Sequence, residues 1–315
     1  MEPRIVFMGT PEFGVPVLEE LARSPWEMVA VYTRPDRPAG RGQHMAPSPV
    51  KRVALELGFR VIEPSTMRGQ GSAVSLAEFR PDVVVVAAFA YLLPREVLAV
   101  PRLGCLNVHP SLLPRHRGPS PVAAALLRGD AETGVSIMLM DEGLDTGPVL
   151  SQEALSISEA DTTGSLTEAL SEMGARLLRA TIGKWIEGDL VPRPQDESLA
   201  TSSELIRAKD AGLDWSLPAV ELWRQVRAYH PWPGCYTTWE GKRLKILSGR
   251  AIRAQQRGEV GRVVELPDTA PNRIGVVTGD GVLGLGEVQL EGKRQVSVEE
   301  LVRGHGDFIG SSLVT

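Results

Sequence analysis

Two side chains suited to stabilising a developing negative charge lie close together in the stretch NVHPSLLPRHRGPSPV, residues 107–122. Asn107 and His109 end an apolar run, and side chains two residues apart on a strand point to the same face. An amide beside an imidazole can donate hydrogen bonds to an oxyanion. A histidine at a strand end can instead make a purely structural hydrogen bond, and the spacing leaves both interpretations open.

The turn after His109 is predicted to be rigid. Pro110 and Pro114 restrict the backbone on both sides of a Ser-Leu-Leu segment. A rigid turn holds the histidine in place, as general acid–base or electrostatic catalysis requires. His116 and Arg117 lie beyond the turn, and we expect both to face solvent.

An acidic loop follows a second apolar run. Residues 135–140 predict a strand that leads into a glycine-bearing loop with Asp141, Glu142 and Asp145. One of these carboxylates could orient His109 or stabilise its protonated form. Spacing alone does not select among the three, and solvated loop acids are the alternative.

A proline-rich segment over residues 31–51 is too long to be a simple connection. Arg34, Arg37 and Arg41 are opposed there by one acid, Asp36. The functional interpretation is an arm that contacts phosphates. The alternative is a disordered surface loop.

The sequence MGTPEFG, residues 8–14, stands where a dinucleotide fingerprint would stand. Its two glycines are separated by four residues, which is not the G-x-G-x-x-G spacing, and no Gly-Lys-Ser/Thr follows. We therefore favour a tight strand-to-helix turn, with Pro11 opening the helix, over a site for NAD. The start of this helix could also bind a phosphate.

The composition excludes several classes of protein. The chain has 315 residues and a net charge of −5, so any nucleic-acid contact must be a local patch. Cys105 and Cys235 are far apart and lack metal-type spacing, which predicts no metal site, no disulfide and a cytoplasmic location. No apolar run has membrane-spanning length, and the N-terminus lacks a signal-peptide pattern.

Apolar runs alternate with helical patterns in the first half of the chain. The runs over residues 4–8, 28–32, 82–88 and 103–108 are predicted strands, and continuous apolar strands are typical of a parallel sheet covered by helices on both faces. We therefore predict a Rossmann-like, mostly parallel sheet. Such sheets bind ligands at the carboxyl ends of their strands, where residues 107–109 lie.

The second half predicts a different architecture. A long helix ends near residue 187, a polar segment with two prolines follows, and short β-type runs with glycine turns come next. The predicted organisation is an α/β domain over residues 1–188, a linker over 189–206 and an OB-like β-barrel domain over 207–315.

A basic stretch lies in the predicted β-barrel. Between residues 241 and 262 only Glu259 opposes seven cations. On a small β-barrel this predicts a face that contacts phosphates, and a solvated charged surface is the alternative. The cations are Lys242, Arg243, Lys245, Arg250, Arg253, Arg257 and Arg262.

Six segments together resemble one protein family. They are FMGTPEFGVPVLEEL, RPDRPAGRG, GCLNVHPSLLPRHRG, ETGVSIMLMDEGLDTG, DWS at 214–216 and HPWPG at 230–234. Over essentially the entire chain they are similar to the folate-dependent formyltransferases, and within these to the methionyl-tRNA formyltransferases. The asparagine–histidine block and the acidic loop are shared by the wider family and indicate the reaction, whereas the arginine segment indicates the acceptor.

The resemblance implies roles for individual residues. Asn107, His109 and Asp145 match the family's catalytic trio. The residues that match its folate-binding segment and pterin cleft are Phe89, Ala90, Tyr91, Leu92, Ser111, Leu112, Leu113, Pro114 and Asp141. Those assigned to tRNA contacts are Arg34, Arg37, Arg41, Lys242, Arg243 and Lys245. The chain departs from the family pattern at Gln43 and His44, where relatives are more basic, and at Pro119 and Ser120, which replace a small apolar pair.

The implied reaction moves a formyl group from N10 of 10-formyltetrahydrofolate to the α-amine of methionine on initiator tRNA, for translation initiation. Attack by the neutral amine builds a tetrahedral carbon with a negative oxygen, which Asn107 and a protonated His109 would stabilise. Asp145 would help to carry away the amine proton. Neither a metal nor a nucleophilic side chain is required, and Cys105 is expected to be a core residue. We expect a monomer.

Three other functions compete with this one. A formyltransferase acting on an amino sugar nucleotide would share the site, but the arginine segment argues against it. A Rossmann-type dehydrogenase is disfavoured by the glycine spacing of residues 8–14. A tRNA-binding protein without enzymatic activity would tolerate the loss of His109.

Overall fold

The structure is a computed structural model that describes residues 2–39, 44–89, 91–253, 258–267, 270 and 272–314. Ala90 and Arg41 of the predicted site, together with Arg257, lie outside these ranges. The chain divides into two compact units. The first comprises Met1–Pro121, Glu132–Ile157 and Leu166–Ser203, and the second comprises Val122–Ala131, Ser158–Ser165 and Glu204–Thr315. The segment expected to be a linker therefore belongs to the first unit as far as Ser203.

A mostly parallel sheet forms the centre of the first unit. The strands of this unit are β1 (Arg4–Gly9), β2 (Glu27–Tyr32), β3 (Arg37–Ala39), β4 (His44–Ala46), β5 (Val61–Ile62), β6 (Val83–Ala87), β7 (Cys105–His109), β8 (Glu132–Leu139) and β9 (Val149–Ser156). The main sheet has the order β5-β2-β1-β6-β7-β8-β9. Its first five strands are parallel, whereas β8 and β9 are antiparallel to their neighbours. The predicted Rossmann-like sheet is confirmed, with an antiparallel edge.

The sequence of the central strands explains their position. Every residue of β6, VVVVA, is buried, because a strand covered on both faces has no side that must be polar. β3 and β4 form a separate antiparallel pair with Arg37 opposite Ala46. This pair lies in the segment that we expected to be a loop throughout.

Six helices lie in the described part of the chain before residue 188. They are α1 (Val15–Ala22), α2 (Pro49–Glu56), α3 (Gln70–Ala77), α4 (Arg95–Leu98), α5 (Pro121–Arg128) and α6 (Thr163–Glu187). A short 3-10 turn over Glu12–Gly14 precedes α1, after the tight turn predicted at Pro11. Ser48 caps α2 by accepting a hydrogen bond from the Lys51 amide, and Pro49 occupies the first helical position.

Antiparallel sheets form much of the second unit, as predicted, and helices accompany them. Its strands are β10 (Tyr236–Trp239), β11 (Lys242–Ile246), β12 (Gly249–Ile252), β13 (Val263–Glu265), β14 (Ile274–Val277), β15 (Val282–Leu285), β16 (Glu287–Leu290) and β17 (Val296–Ser297). They form two sheets, β10-β11-β16-β17 and β12-β15-β14-β13. The helices are α7 (Ala219–Ala228) and α8 (Val298–Gly304).

Candidate active site

Three polar side chains meet at the end of β7. The amide nitrogen of Asn107 lies 3.4 Å from Oδ1 of Asp145. Nδ1 of His109 lies 3.7 Å from Oδ2 of the same carboxylate. The side chains of His109 and Asp145 are 4% and 13% exposed, so their interaction is shielded from water. The predicted catalytic residues are therefore neighbours in the fold.

The route of the acidic loop explains how Asp145 reaches this place. β8 runs antiparallel to β7, and the Met140 amide, just past β8, bonds to the Cys105 carbonyl at the start of β7. The loop must therefore fold back along β7 to bring Asp145 to Asn107. Asp145 adopts a φ of +56° there, a left-handed conformation that aspartate tolerates better than most residues.

The other two acids of the loop are engaged elsewhere. Oδ1 of Asp141 accepts hydrogen bonds from the Gly143 amide at 3.0 Å and the Thr146 hydroxyl at 2.7 Å. Glu142 is exposed and lies 3.5 Å from Arg95. Asp141 thus shapes the loop, and the choice among three carboxylates that the spacing left open falls on Asp145.

The tautomer of His109 follows from its neighbours. Its Nε2 lies 3.1 Å from the backbone carbonyl oxygen of His116, and because a carbonyl only accepts, Nε2 carries a hydrogen. In the neutral ring the lone pair is then on Nδ1, the atom that faces Asp145. The 3.7 Å between Nδ1 and Oδ2 of Asp145 is too long for a hydrogen bond.

The predictions for the two residues after the turn are wrong. His116 is only 3% exposed, and its φ of +56° belongs to the turn that presents its carbonyl to His109. The side chain of Arg117 is 11% exposed and lies 2.7 Å from Glu197. This pairing raises the pKa of Arg117. Polarity alone predicted solvent for both, whereas each is held by contacts remote in sequence.

Gly118 fixes the carboxylate from the other side. Its amide donates to Oδ2 of Asp145 at 2.7 Å. Gly118 has a φ of +107°, and a Cβ added there would lie 2.8 Å from the Ser203 carbonyl oxygen. A glycine is therefore required where the backbone approaches Asp145 this closely.

The Ser-Leu-Leu-Pro turn is held from within. Ser111 is fully buried and donates to the Arg115 carbonyl at 2.6 Å, and Leu113 is 5% exposed. The Leu113 amide and the Ser111 carbonyl both bond to the Ser136 hydroxyl, at 3.0 and 2.6 Å. Ser111 and Leu113 therefore shape the turn, while Leu112 and Pro114 are partly exposed.

A second loop supplies more of the predicted folate residues. Phe89 is 2% exposed and packs edge-to-face on Tyr91, with ring centroids 5.2 Å apart. Leu92 is 70% exposed. The guanidinium of Arg34 lies 5.0 Å from the centroid of the Tyr91 ring. An arginine predicted to contact tRNA therefore lies against the loop predicted to contact folate.

A cleft runs between α4 and the acidic loop. Its volume is about 450 Å³, within the range typical of small-molecule sites. Its wall includes both apolar side chains and the first residue of the acidic loop. The lining residues are Arg95, Leu98, Ala99, Met140, Asp141, Glu142 and Gly143.

The remaining predicted residues are distributed as follows. Arg37 is exposed on β3. On β11, Lys242 and Arg243 are exposed and Lys245 is partly exposed. The Arg243 guanidinium lies 4.2 Å from the centroid of the Tyr236 ring on the neighbouring strand.

Cys105 lies near the site at the start of β7, and its environment is that of a core residue. Burial raises the pKa of the Cys105 thiol to about 12, so it is a core residue, as predicted, and not a nucleophilic thiolate. Across the described residues, no group of three or more His, Cys, Asp or Glu side chains is arranged to hold a metal ion. Within those same ranges, none of the helices combines the length and apolar character needed to span a membrane.

Sequence comparison finds full-length relatives. Residues 3–182 match the formyl transferase family, and residues 205–306 match the formyl transferase C-terminal domain. The chain is 47% identical over 305 residues to a methionyl-tRNA formyltransferase of Roseiflexus castenholzii, covering 96% of each chain. It is 45% identical over 298 residues to the Pseudomonas fluorescens protein of that name, covering 95% of this chain and 92% of the relative.

Solved structures share the fold at lower identity. An N-formyltransferase from Helicobacter canadensis, in complex with folinic acid and dTDP-3-aminofucose, has a TM-score of 0.65 at 18% identity, covering 94% of this chain and all of that one. HypX from Aquifex aeolicus, in complex with tetrahydrofolic acid, has a TM-score of 0.61 at 18% identity, covering 98% of this chain and 48% of that one. At this identity the likeness concerns the fold alone.

Proposed function

The chain belongs to the formyl transferase family, and from this premise we propose that it transfers the formyl group of 10-formyltetrahydrofolate to the α-amine of methionyl initiator tRNA, for translation initiation. The methionyl-tRNA formyltransferases that it matches are 43–47% identical over nearly its whole length. The observation that carries the proposal within the structure is the meeting of Asn107, His109 and Asp145 at the end of β7.

The side chains divide the work as follows. One amide hydrogen of Asn107 is directed to Asp145, and the second can be donated to the oxygen that becomes negative as the amine attacks the formyl carbon. Nδ1 of His109 faces the same space and, once protonated, adds a positive charge beside that oxygen. Asp145 stabilises this charge and, directly or through water, receives the proton that leaves the amine. The intermediate collapses when the bond from carbon to N10 breaks and N10 gains a proton.

The folate is assigned to the loops around this centre. We assign it to the turn after His109, to the loop with Phe89 and Tyr91, and to Asp141, together with Leu92, Leu112 and Pro114. The Leu92 side chain is the most exposed of the predicted apolar contacts in the described part of the chain, at 70%, and is available to cover a flat pterin ring. Ser111 and Leu113 support the turn from inside.

The tRNA is assigned to cations of both halves of the chain. Arg34, Arg37 and Arg41 belong to the catalytic region, proposed as residues 1–188. Lys242, Arg243 and Lys245 belong to the OB-like region, proposed as residues 207–315, with residues 189–206 between them. Guanidinium groups on aromatic rings, as at Arg243 and Tyr236, are suited to phosphates and stacked bases. We place the enzyme in the cytoplasm and propose a monomer, which sedimentation with and without tRNA would test.

The experiment that tests the proposal is direct. The protein is incubated with 10-formyltetrahydrofolate and initiator tRNA charged with methionine, and the amino acid released from the tRNA is identified by mass. Formylmethionine is the expected product. Its absence, with both substrates intact and the protein folded, would refute the proposal.

A further inference from the structure

We propose that Gln195 is a positioning residue for Asp145, and that the segment between the two halves of the chain is for this reason part of the active site. The inference rests on the proposed function. Residues 183–204 fall between the two family matches, which cover residues 3–182 and 205–306. Most of this segment lies within residues 189–206, which are predicted from the sequence to be a linker.

The amide nitrogen of Gln195 donates both of its hydrogens to the loop that carries Asp145. Its Nε2 donates to the backbone carbonyl of Asp145 at 2.8 Å and to that of Gly147 at 2.7 Å. Its Oε1 accepts from Nε and Nη2 of Arg117, at 3.1 and 3.0 Å. Carbonyls only accept and a guanidinium only donates, so the polarity of this arrangement fits an amide and neither a carboxylate nor a hydrocarbon.

The backbone conformation of the loop around Asp145 requires hydrogen bonds that hold it in place. Asp145 has a φ of +56°, and Gly147 passes so close to β8 that an added Cβ would lie 1.9 Å from the Leu139 carbonyl oxygen. A backbone in this conformation persists only where its surroundings hold it. The carbonyls of Asp145 and Gly147, on either side of Thr146, both accept from the Gln195 amide nitrogen, and these two hydrogen bonds hold the loop.

Arg117 connects Gln195 to the opposite side of the Asp145 carboxylate. Its guanidinium donates to both carboxylate oxygens of Glu197, at 2.9 and 2.7 Å, and its backbone bonds to Thr201 and Ser203. The next residue, Gly118, donates its amide to Oδ2 of Asp145. The backbone and the carboxylate of Asp145 are therefore both held by groups that bond to Gln195, Glu197, Thr201 and Ser203.

The test uses two substitutions that change only the amide. Gln195→Met keeps the length of the side chain and removes its polar atoms, and Gln195→Glu keeps an acceptor for Arg117 but turns an oxygen toward two carbonyls. Both are expected to lower kcat by about tenfold to a hundredfold, since a small misplacement of a reacting group has effects of that size. KM for folate and for tRNA is expected to stay within about twofold. Ser198→Ala is the matched control, because the amide and the hydroxyl of Ser198 both donate to the Asp196 carboxylate within their own turn.

A double substitution distinguishes an effect of Gln195 through Asp145 from a general loss of structure. If Gln195 acts through Asp145, Gln195→Met should lower kcat little further in an Asp145→Asn protein. Multiplication of the two losses would overturn the inference, as would a Gln195→Met protein with wild-type kcat.

Amide hydrogen exchange gives a readout that does not depend on turnover. Exchange over residues 141–148 should be faster in Gln195→Met than in wild type and unchanged in Ser198→Ala. Unchanged exchange in Gln195→Met would overturn the inference even if the enzyme used another acceptor. If wild type does not formylate methionyl-tRNA but exchange responds as expected, the proposed function fails and the positioning role stands.

Discussion

The Nε2 nitrogen of His109 lies 3.1 Å from the backbone carbonyl oxygen of His116. This contact places a hydrogen on Nε2 and leaves Nδ1 facing Asp145. The catalytic geometry therefore depends on the backbone of the turn as much as on the side chains of the trio.

Replacing His109 should abolish most of the chemistry without preventing binding. His109→Ala is expected to lower kcat by about a hundredfold or more, since a positioned acid–base group contributes about 10²–10⁴. Steady-state kinetics with saturating tRNA would measure it. Nearly unchanged turnover would show that the catalytic assignment is wrong.

The loss of Asn107 should affect the transition state more than the ground state. Asn107→Ala removes one donor to the developing oxyanion, and such a donor typically contributes about 10²–10³ in kcat. KM for 10-formyltetrahydrofolate should change little. A rise in KM at constant kcat would assign Asn107 to folate binding instead.

Two acids of the loop, Asp145 and Glu142, should respond differently to replacement by the corresponding amide. Asp145→Asn is expected to lower kcat by about a hundredfold, because the charge beside His109 is lost. Glu142→Gln is the matched control, because Glu142 is exposed and its carboxylate lies 3.5 Å from Arg95. Equal effects of the two substitutions on kcat would contradict the selection of Asp145.

The proposed tRNA face predicts a dependence on salt. Each phosphate contact contributes roughly 0.7–0.9 to the slope of log affinity against log salt concentration. Arg243→Ala and Lys245→Ala should each reduce the slope by about this amount, whereas Lys184→Ala, an exposed lysine on α6, should not. Affinity that does not respond to salt in the wild-type protein would refute a phosphate-contacting face.

The ionised carboxylate of Asp82 stabilises the folded protein, and this contribution depends on pH. Burial works to raise the pKa of its carboxyl, but hydrogen bonds from the Arg4 amide and the Arg102 guanidinium together lower it. A lowered pKa means that Asp82 contributes stability above its unfolded pKa of about 4, and that this contribution is lost as the pH falls through the folded pKa.

Asp82→Asn should consequently lower the free energy of unfolding at pH 7 by about 1–2 kcal/mol and lower the melting temperature with it. The difference from wild type should shrink as the pH falls below about 4. Thermal unfolding at a series of pH values would measure both. A difference that is constant from pH 7 to pH 3 would show that Asp82 acts by packing and not by its charge.

The sequence was sufficient for much of the fold because its signals are local. The run VVVVA predicts a strand buried on both faces, and β6 is such a strand. The spacing of Asn107 and His109 predicts a shared face, since that follows from the geometry of a strand. The antiparallel edge formed by β8 and β9 was not predicted, because strand direction depends on the path between strands.

The rest of the site depends on contacts that sequence patterns do not encode. Asp141 and Asp145 are alike in spacing, and only the fold of their loop separates them. Gln195 belongs to a polar segment without periodicity, yet it bonds to Asp145 and Arg117. The polarity of His116 and Arg117 favours solvent, and their actual burial results from residues far along the chain.

A competition assay tests the central claim most directly. Formyl-labelled 10-formyltetrahydrofolate is offered to the enzyme with equal concentrations of methionyl initiator tRNA and a dTDP-linked amino sugar, and the label in each acceptor is counted. Nearly all of the label is predicted to appear on methionine. The His109→Ala protein is predicted to transfer label much more slowly than the wild-type protein. Label on the sugar with none on methionine would contradict the account.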